Sequence, residues 1–369
     1  MRRLLQKWLK QPIIRLADKY SSRPDVKRVH SALTDLYNSL ITQPGKRGVI
    51  IPFDALQDKF VILSDQHKGA RNHADDFMLS EKNYLASLDY YHHQNYHYVN
   101  LGDSEELWEN GILTVKKYNK DTFEKEKLFL QNQVFIKIFG NHDLYWDNDP
   151  LASIMLQQIY EQPVKIYEGL ILQTQVNNKP LSIYLTHGHQ GDLQSDGNWL
   201  SKWFVANVWG PLQAYLEINP NTPATNDHQK TLHNQIMYQW SSRQNNMLLI
   251  TGHTHQPVFR SLTHLERLYI DLEDAEKAGQ TVKVKELQQQ INKLVMKGEA
   301  KFSFPGYRPS YFNTGCCCFD DGDITGIEIE GGFMRLIKWE YDKKGTPERI
   351  VLEESSLQEV MDGLAEIAQ

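Results

Sequence analysis

The stretch Phe60-Val61-Ile62-Leu63-Ser64-Asp65-Gln66-His67 sets four consecutive apolar residues directly against a carboxylate and an imidazole. Four apolar residues without polar alternation fit a strand buried on both faces. The residues after them are donors for a metal ion. The same order recurs four times. Tyr98–Leu101 runs into Gly102-Asp103, and Val134–Phe139 into Gly140-Asn141-His142-Asp143. Ser182–Thr186 runs into His187-Gly188-His189, and Leu248–Thr251 into Gly252-His253-Thr254-His255. Another apolar run, Val49–Phe53, precedes them, and helical stretches around 76–91, 122–133 and 151–161 lie between. This alternation reads as α/β. In open α/β sheets, sites assemble outside the carboxyl ends of strands, so the five endings are expected to converge.

The donors identify the kind of ion. Asp65, Asp103, Asn141, His67, His187, His253 and His255 offer oxygen and imidazole, with no thiolate among them. Such a set suits Mn, Fe or Zn in an open site better than a closed structural zinc. Seven donors exceed the needs of one ion. With Asp103 as a bridge they hold two, roughly 3.5–4 Å apart, the usual device for hydrolysing phosphate esters. Taken singly, each motif has a bland reading as a loop or turn. Five in order, each at a strand end, make coincidence a poor account.

The series Asp-x-His, Gly-Asp, Gly-Asn-His-Asp, His-Gly-His, Gly-His-Thr-His resembles the calcineurin-like metallophosphoesterase superfamily over roughly residues 48–260, continuing through Asn313-Thr314-Gly315. The resemblance implies an α/β fold: a four-layer αββα sandwich of two mixed sheets, with a dinuclear site. It implies that Asp65, His67 and His255 bind the first ion, that Asn141, His187 and His253 bind the second, and that Asp103 bridges. It implies catalytic roles for His142, which contacts the phosphoryl oxygens and protonates the leaving group, and for Glu106, which orients it. The activity implied is a metal-dependent phosphoric ester hydrolase, with in-line attack by metal-bound hydroxide. The second block reads Gly102-Asp103-Ser104-Glu105-Glu106-Leu107-Trp108 and lacks the arginine usual in phosphoprotein phosphatases of the family. Its Glu106-x-Trp108 ending resembles instead the branch containing UDP-2,3-diacylglucosamine pyrophosphatase, although that branch usually carries arginine where His142 stands. A lipid-precursor pyrophosphatase is therefore the alternative activity, and a non-catalytic metal-binding scaffold is another.

Around this set, His189 reads either as an orienting neighbour or as an alternate ligand to His187, and His187 is favoured. Asp143, Arg71 and Asn72 are candidates for supporting the site or reaching a substrate phosphate. His233 has no motif context. Cys316, Cys317 and Cys318 read as buried packing in a strand beside a glycine.

The rest of the chain is organised around this core. Residues 1–47 form an N-terminal helical segment, with Leu4, Leu5, Trp8 and Leu9 on one face and Val26, Val29, Leu33, Leu36 and Leu40 repeating at the helical period. Packing is the favoured reading; an interfacial anchor built on Trp8 and Leu9 among basic residues is the second. The metallophosphoesterase domain is expected over 48–345, with insertions at about 193–246 and 261–300, and a C-terminal strand and helix over 346–369. The first insertion is rich in aromatics, including Trp199, Trp203, Phe204 and Trp209. In the second, Leu265, Leu268, Leu272 and Ala275, then Val284, Leu287, Ile291 and Leu294, are spaced as two short heptad helices joined at Ala278-Gly279, a coiled hairpin. Beyond residue 310, Tyr311–Asn313, Cys316–Phe319, Thr325–Glu330 and Met334–Trp339 read as successive strands. Parallel strands first and a meander later point to two sheets packed face to face.

Composition bounds the partners. Forty lysines and arginines against 46 acidic residues leave 369 residues with a net charge of −6. That balance argues against general attachment to a phosphate backbone, and no nucleic acid partner is expected. The expected substrate is a phosphorylated small molecule or a lipid-linked phosphate. Adjacent cysteines make poor disulfide partners, which fits a reducing compartment. No apolar run approaches the roughly 20 residues that span a bilayer. A cytoplasmic location is expected, with peripheral contact at the inner face of the membrane and a homodimer through the 261–297 hairpin left open as options.

Overall fold

A computed structural model describes residues 24–72, 75–191, 227–296 and 308–365. In chain order its strands are β1 Gly48–Pro52, β2 Phe60–Leu63, β3 His97–Leu101, β4 Phe135–Ile138, β5 Ile166–Tyr167, β6 Gly169–Val176, β7 Lys179–Thr186, β8 Met247–Thr251, β9 Val258–Phe259, β10 Leu262–Thr263, β11 Tyr311–Asn313, β12 Ile324–Glu330, β13 Phe333–Tyr341 and β14 Pro347–Ser356. The helices are α1 Val26–Thr42, α2 Glu81–His93, α3 Ile112–Tyr118, α4 Lys120–Gln131, α5 Tyr145–Asn148, α6 Ala152–Tyr160, α7 Asp227–Ser241, α8 His264–Lys277, α9 Thr281–Met296 and α10 Leu357–Ala365.

The strands form two seven-stranded mixed sheets, ordered β1-β6-β7-β8-β11-β9-β10 and β14-β13-β12-β2-β3-β4-β5. Period-two alternation in β2 explains their stacking. Phe60 and Ile62 face the other sheet, meeting Leu170, Leu172, Ile183, Leu185, Leu248 and Ile250 in the central core. Val61 and Leu63 face the opposite way, onto Tyr84, Leu88 and Tyr91 of α2 and Phe129 of α4. The first sheet is covered in the same manner on its outer side. Val29, Leu33, Leu36 and Leu40 of α1 pack with Met237 and Trp240 of α7 over Ile171, Tyr184 and Leu249. Four layers result, as the sequence pattern and the resemblance implied.

The partition between sheets differs from a parallel sheet facing a meander. The meander β12-β13-β14 extends the sheet of the early parallel strands, because β12 pairs antiparallel with β2 through Ile327–Ile62. Tyr311–Asn313 belongs to the other sheet, parallel to β8. β6 is a strand that the apolar runs do not mark: only the half from Gly169 to Leu172 is fully apolar, while the whole strand pairs antiparallel with β7. Cys316–Phe319 is a loop, which corrects the strand reading. Gly315 turns the chain at φ +75°, and the Cys317 N–H donates to the Asp65 carbonyl 3.1 Å away instead of to a ladder.

The hairpin is as spaced. Leu265, Leu268, Ala275, Leu287 and Ile291 bury against one another, with Leu272 and Val284 at their edge. Leu294 lies outside the residues with described side chains. A capping box starts α8, with the Thr263 hydroxyl accepting from the Glu266 N–H at 3.3 Å and the Glu266 carboxylate accepting from the Thr263 N–H at 2.7 Å. Residues 1–23, including Trp8 and Leu9, and the aromatic set Trp199, Trp203, Phe204 and Trp209 lie outside the described residues.

Candidate metal centre

Because β2, β3 and β4 run parallel in one sheet, and β7, β8 and β11 in the other, the chain leaves each group at a common edge. The backbone turns sharply there. Asp65, His67, Asp103, His253 and His255 all take the left-handed conformation, with φ of 54°, 50°, 49°, 70° and 55°. For residues with a Cβ this costs on the order of 1–3 kcal/mol each, and it persists only where the surroundings over-determine it. Here main-chain hydrogen bonds between loops do so. Asp65 N–H donates to Gly102 O at 3.0 Å, His67 N–H to Asp103 O at 2.9 Å, and Gly252 N–H to His187 O at 3.0 Å. Two glycines leave room for carboxylates. A Cβ on Gly140 would run into the Asp103 carboxylate, and one on Gly252 into that of Asp65.

The side chains converge on the two aspartates. His255 Nε2 lies 3.3 Å from Asp65 Oδ1 and 3.2 Å from His67 Nε2. His67 Nε2 is in turn 3.9 Å from Asp65 Oδ1 and 3.8 Å from Asp103 Oδ2. His187 Nε2 lies 3.1 Å from Asp103 Oδ2 and 4.0 Å from Asp65 Oδ1, and the His253 ring stands 5.2 Å from that of His187. Asp103, His187 and His253 each offer a ligand atom within 4.8 Å of the others. Asn141 Oδ1 and His253 Nε2 are buried with no hydrogen-bond partner, and His187 Nε2 faces Asp103 in a geometry that makes no hydrogen bond. Buried polar atoms are normally satisfied. These orphans are the atoms that a cation would satisfy, so the residues present fit a metal.

The electrostatics agree. Burial pushes the His187 imidazole down, but the Asp103 and Asp65 carboxylates outweigh it and raise its pKa to about 9. Burial likewise opposes the charge on His255, whose pKa nonetheless stands well above the usual value beside the Cys316 thiolate and Asp65. Protons on these rings offset buried carboxylates, and a bound divalent ion would take their place. His253 is held well below the ordinary range by burial and by its neighbours His233 and His187. It keeps a free lone pair, as a ligand requires.

At the outer edge, His142 Nδ1 lies 2.6 Å from Glu106 Oε2, which also reaches His67 Nδ1 at 3.1 Å. The Trp108 ring stacks on His142 with centroids 4.0 Å apart and planes 19° from parallel. Burial lowers the His142 pKa, but Glu106 and Asp103 outweigh it and carry it up to about 9. Burial opposes ionisation of Glu106, and His142 overrides that to bring it to about 2. Asp143 staples two site loops, accepting from Ser104 N–H at 2.9 Å and Gly140 N–H at 2.5 Å. His189 is buried beside His187, with rings 5.4 Å apart. Asn72 donates to Asn110 Oδ1 at 3.2 Å, and Asn110 to the Glu106 carbonyl at 3.2 Å. The Arg71 guanidinium is turned to Glu81 and to the Tyr118 carbonyl.

Two features escaped the sequence. His233, on α7, is buried with Nε2 2.7 Å from the Gly188 carbonyl and its ring 5.2 Å from His253. The second feature is a charged network beneath the site. Lys68 Nζ reaches Glu126 at 2.7 Å and Glu105 at 3.1 Å, and Lys137 Nζ reaches Glu105 at 2.9 Å, all four side chains buried. Trp146 Nε1 donates to Glu105 at 2.8 Å and the Tyr160 hydroxyl to Glu126 at 2.6 Å. Lys68 follows His67, and Glu105 precedes Glu106. The network therefore anchors both loops from below. The signal available was Lys137 inside an apolar strand and Glu105 beside a motif.

A family model described as calcineurin-like phosphoesterase matches residues 58–257. Against curated proteins the chain has no match. Solved structures similar to it include vacuolar protein sorting 29 from Cryptosporidium parvum, at 13% identity and a TM-score of 0.32, covering 81% of this chain and 98% of that one. They also include a putative 5'-nucleotidase from Staphylococcus aureus in complex with alpha-ketoglutarate, at 12% identity and a TM-score of 0.29, covering 83% of this chain and 57% of that one.

Proposed function

This chain belongs to the calcineurin-like phosphoesterase family, and on that premise we propose that its site is a dinuclear centre hydrolysing a phosphate ester or pyrophosphate of a small or lipid-linked molecule. The carrying observation is the convergence of donors from five strand ends, with buried lone pairs on Asn141 and His253 left without partners. Asp65, His67 and His255 would hold one ion and Asn141, His187 and His253 the other, with Asp103 placed to serve both. Bound divalent ions of the Mn, Fe or Zn type supply an activated water for in-line attack and offset charge on the phosphoryl oxygens.

The protein's own groups do the rest. Glu106 takes the Nδ1 edge of His142 and leaves Nε2 as the edge free for substrate. Stacking on Trp108 fixes the plane of that ring. With its pKa raised to about 9, His142 holds a proton at neutral pH and delivers it from Nε2 to the departing oxygen. Glu106 stabilises the imidazolium until transfer. Hydrolysis of a panel of monoesters, diesters and nucleotide-linked pyrophosphates by metal-reconstituted protein tests this reading. Turnover of one class that vanishes on chelation is expected, and no turnover of any class with metal bound would overturn it.

A second reading, a lipid-precursor pyrophosphatase of the UDP-diacylglucosamine type, draws on Trp108. Its indole lies over the proposed acid and supplies an apolar wall where an acyl-bearing leaving group would sit. Faster hydrolysis of acylated than of deacylated UDP-sugar pyrophosphates would favour it, and equal rates would remove it.

A further inference from the structure

We propose that Cys318 is a further ligand of the first ion, so that this half of the centre is a mixed oxygen, nitrogen and sulfur site selecting a thiophilic divalent cation. The inference rests on the metal-dependent reading above and deepens it.

The three adjacent cysteines do different things. Cys317 packs in the apolar cluster under α2, with its Sγ 3.9 Å from the Thr325 carbonyl. Cys316 and Cys318 are buried, yet neither belongs to an apolar cluster among the described residues, and Cys316 lies against both Cys318 and His255. The Cys318 Sγ lies 3.8 Å from Nδ1 of His255, the ring whose Nε2 faces Asp65 and His67. One ligand atom each from His67, His255 and Cys318 lies within 4.8 Å of the others.

The loop that delivers Cys318 is fixed. Gly315 reverses the chain, the Cys317 N–H donates to the Asp65 carbonyl at 3.1 Å, and the Thr325 N–H donates to the Cys316 carbonyl at 2.9 Å. Cys318 is thus tied to the residue that carries the first carboxylate. Bonds of about 2.1 Å to imidazole and 2.3 Å to thiolate place opposed ligand atoms at most about 4.4 Å apart, so an ion closes this cluster with a contraction of a few tenths of an ångström. Carboxylate and imidazole alone accept Mn or Mg readily, whereas a thiolate shifts preference toward Zn, Fe(II), Co(II) and Cd.

The test uses full-length protein stripped by chelation and titrated with Co(II). Wild type is expected to show visible d–d bands together with a near-ultraviolet sulfur-to-cobalt charge-transfer band. Cys318→Ser should keep the visible bands and lose the charge-transfer band, and Cys317→Ser, whose sulfur packs in the apolar cluster under α2, should keep both. Cys318→Ser should also weaken Cd(II) binding on the order of 10-fold or more while changing Mn(II) binding far less. Should that variant fold poorly, cobalt X-ray absorption of the wild type gives the same answer through the presence of a sulfur scatterer. Bound cobalt with only nitrogen and oxygen neighbours, or a charge-transfer band that survives Cys318→Ser, overturns the inference and leaves the metal reading standing. Protein that binds no cobalt at all overturns both.

Discussion

At His142 the proposed chemistry reduces to one proton and the groups that hold it. The ring contacts Glu106 and Trp108 and is not among the proposed ligands, so His142→Ala should retain bound metal while losing turnover. A general acid contributes about 10²–10⁴-fold. The loss should be of that size for an alkyl ester and far smaller for a nitrophenyl ester, whose oxygen departs without help. Equal losses on both would assign His142 another task. The pH profile follows from the raised pKa. Glu106 favours the protonated acid, so activity on poor leaving groups should fall at alkaline pH as that proton is lost, and His142→Ala should be flat there. The same shift bears on stability. A folded pKa above the ordinary 6.5 gives a contribution fully present below 6.5 and lost as pH rises through about 9. Asp103 has a complementary test. It lies near His187 and His67, so Asp103→Ala should lower metal content at both positions by elemental analysis.

Among the elements, the strand ends were the most legible part of the sequence. The apolar run Phe60–Leu63 coincides with the bounds of β2, and the five strand endings meet at one edge, because unbroken apolar runs and donor residues are both local signals. Lys68 and Lys137 were less legible. A lysine in or beside a strand reads as a solvent-facing position, and its burial is settled only by Glu105 and Glu126, which arrive from elsewhere in the chain. The Cys316–Phe319 loop was misread for a related reason. Its small apolar residues fit a strand locally, while the hydrogen bond of Cys317 to Asp65 is a long-range fact. The network invites a stability measurement. Removing one partner of a buried ion pair costs about 3–5 kcal/mol. Glu105→Gln strands two buried lysines against Glu126 alone, and its urea midpoint should drop accordingly. A change below about 1 kcal/mol would mean that the lysines find other partners.

On the scale of the whole molecule, chemistry and periphery separate. The proposed ligands, His142 and Glu106 all lie at the edge shared by the two sheets, whereas α8 and α9 bury a small core of their own and are tied back through Arg267, which donates to the Phe259 carbonyl at 2.8 Å. Replacing residues 264–296 with a short Gly-Ser linker should therefore preserve metal content and hydrolysis of a small soluble ester. Loss of both in a folded variant would place the hairpin within the working centre. Among the described residues no helix is long and apolar enough to cross a membrane. A pair of ions held at that shared edge is tested most directly by anomalous diffraction from crystals grown with Zn(II), which suits oxygen, nitrogen and sulfur donors alike. Two peaks roughly 3.5–4 Å apart on either side of the Asp103 carboxylate are the predicted result; a single peak, or peaks away from Asp103, would contradict it.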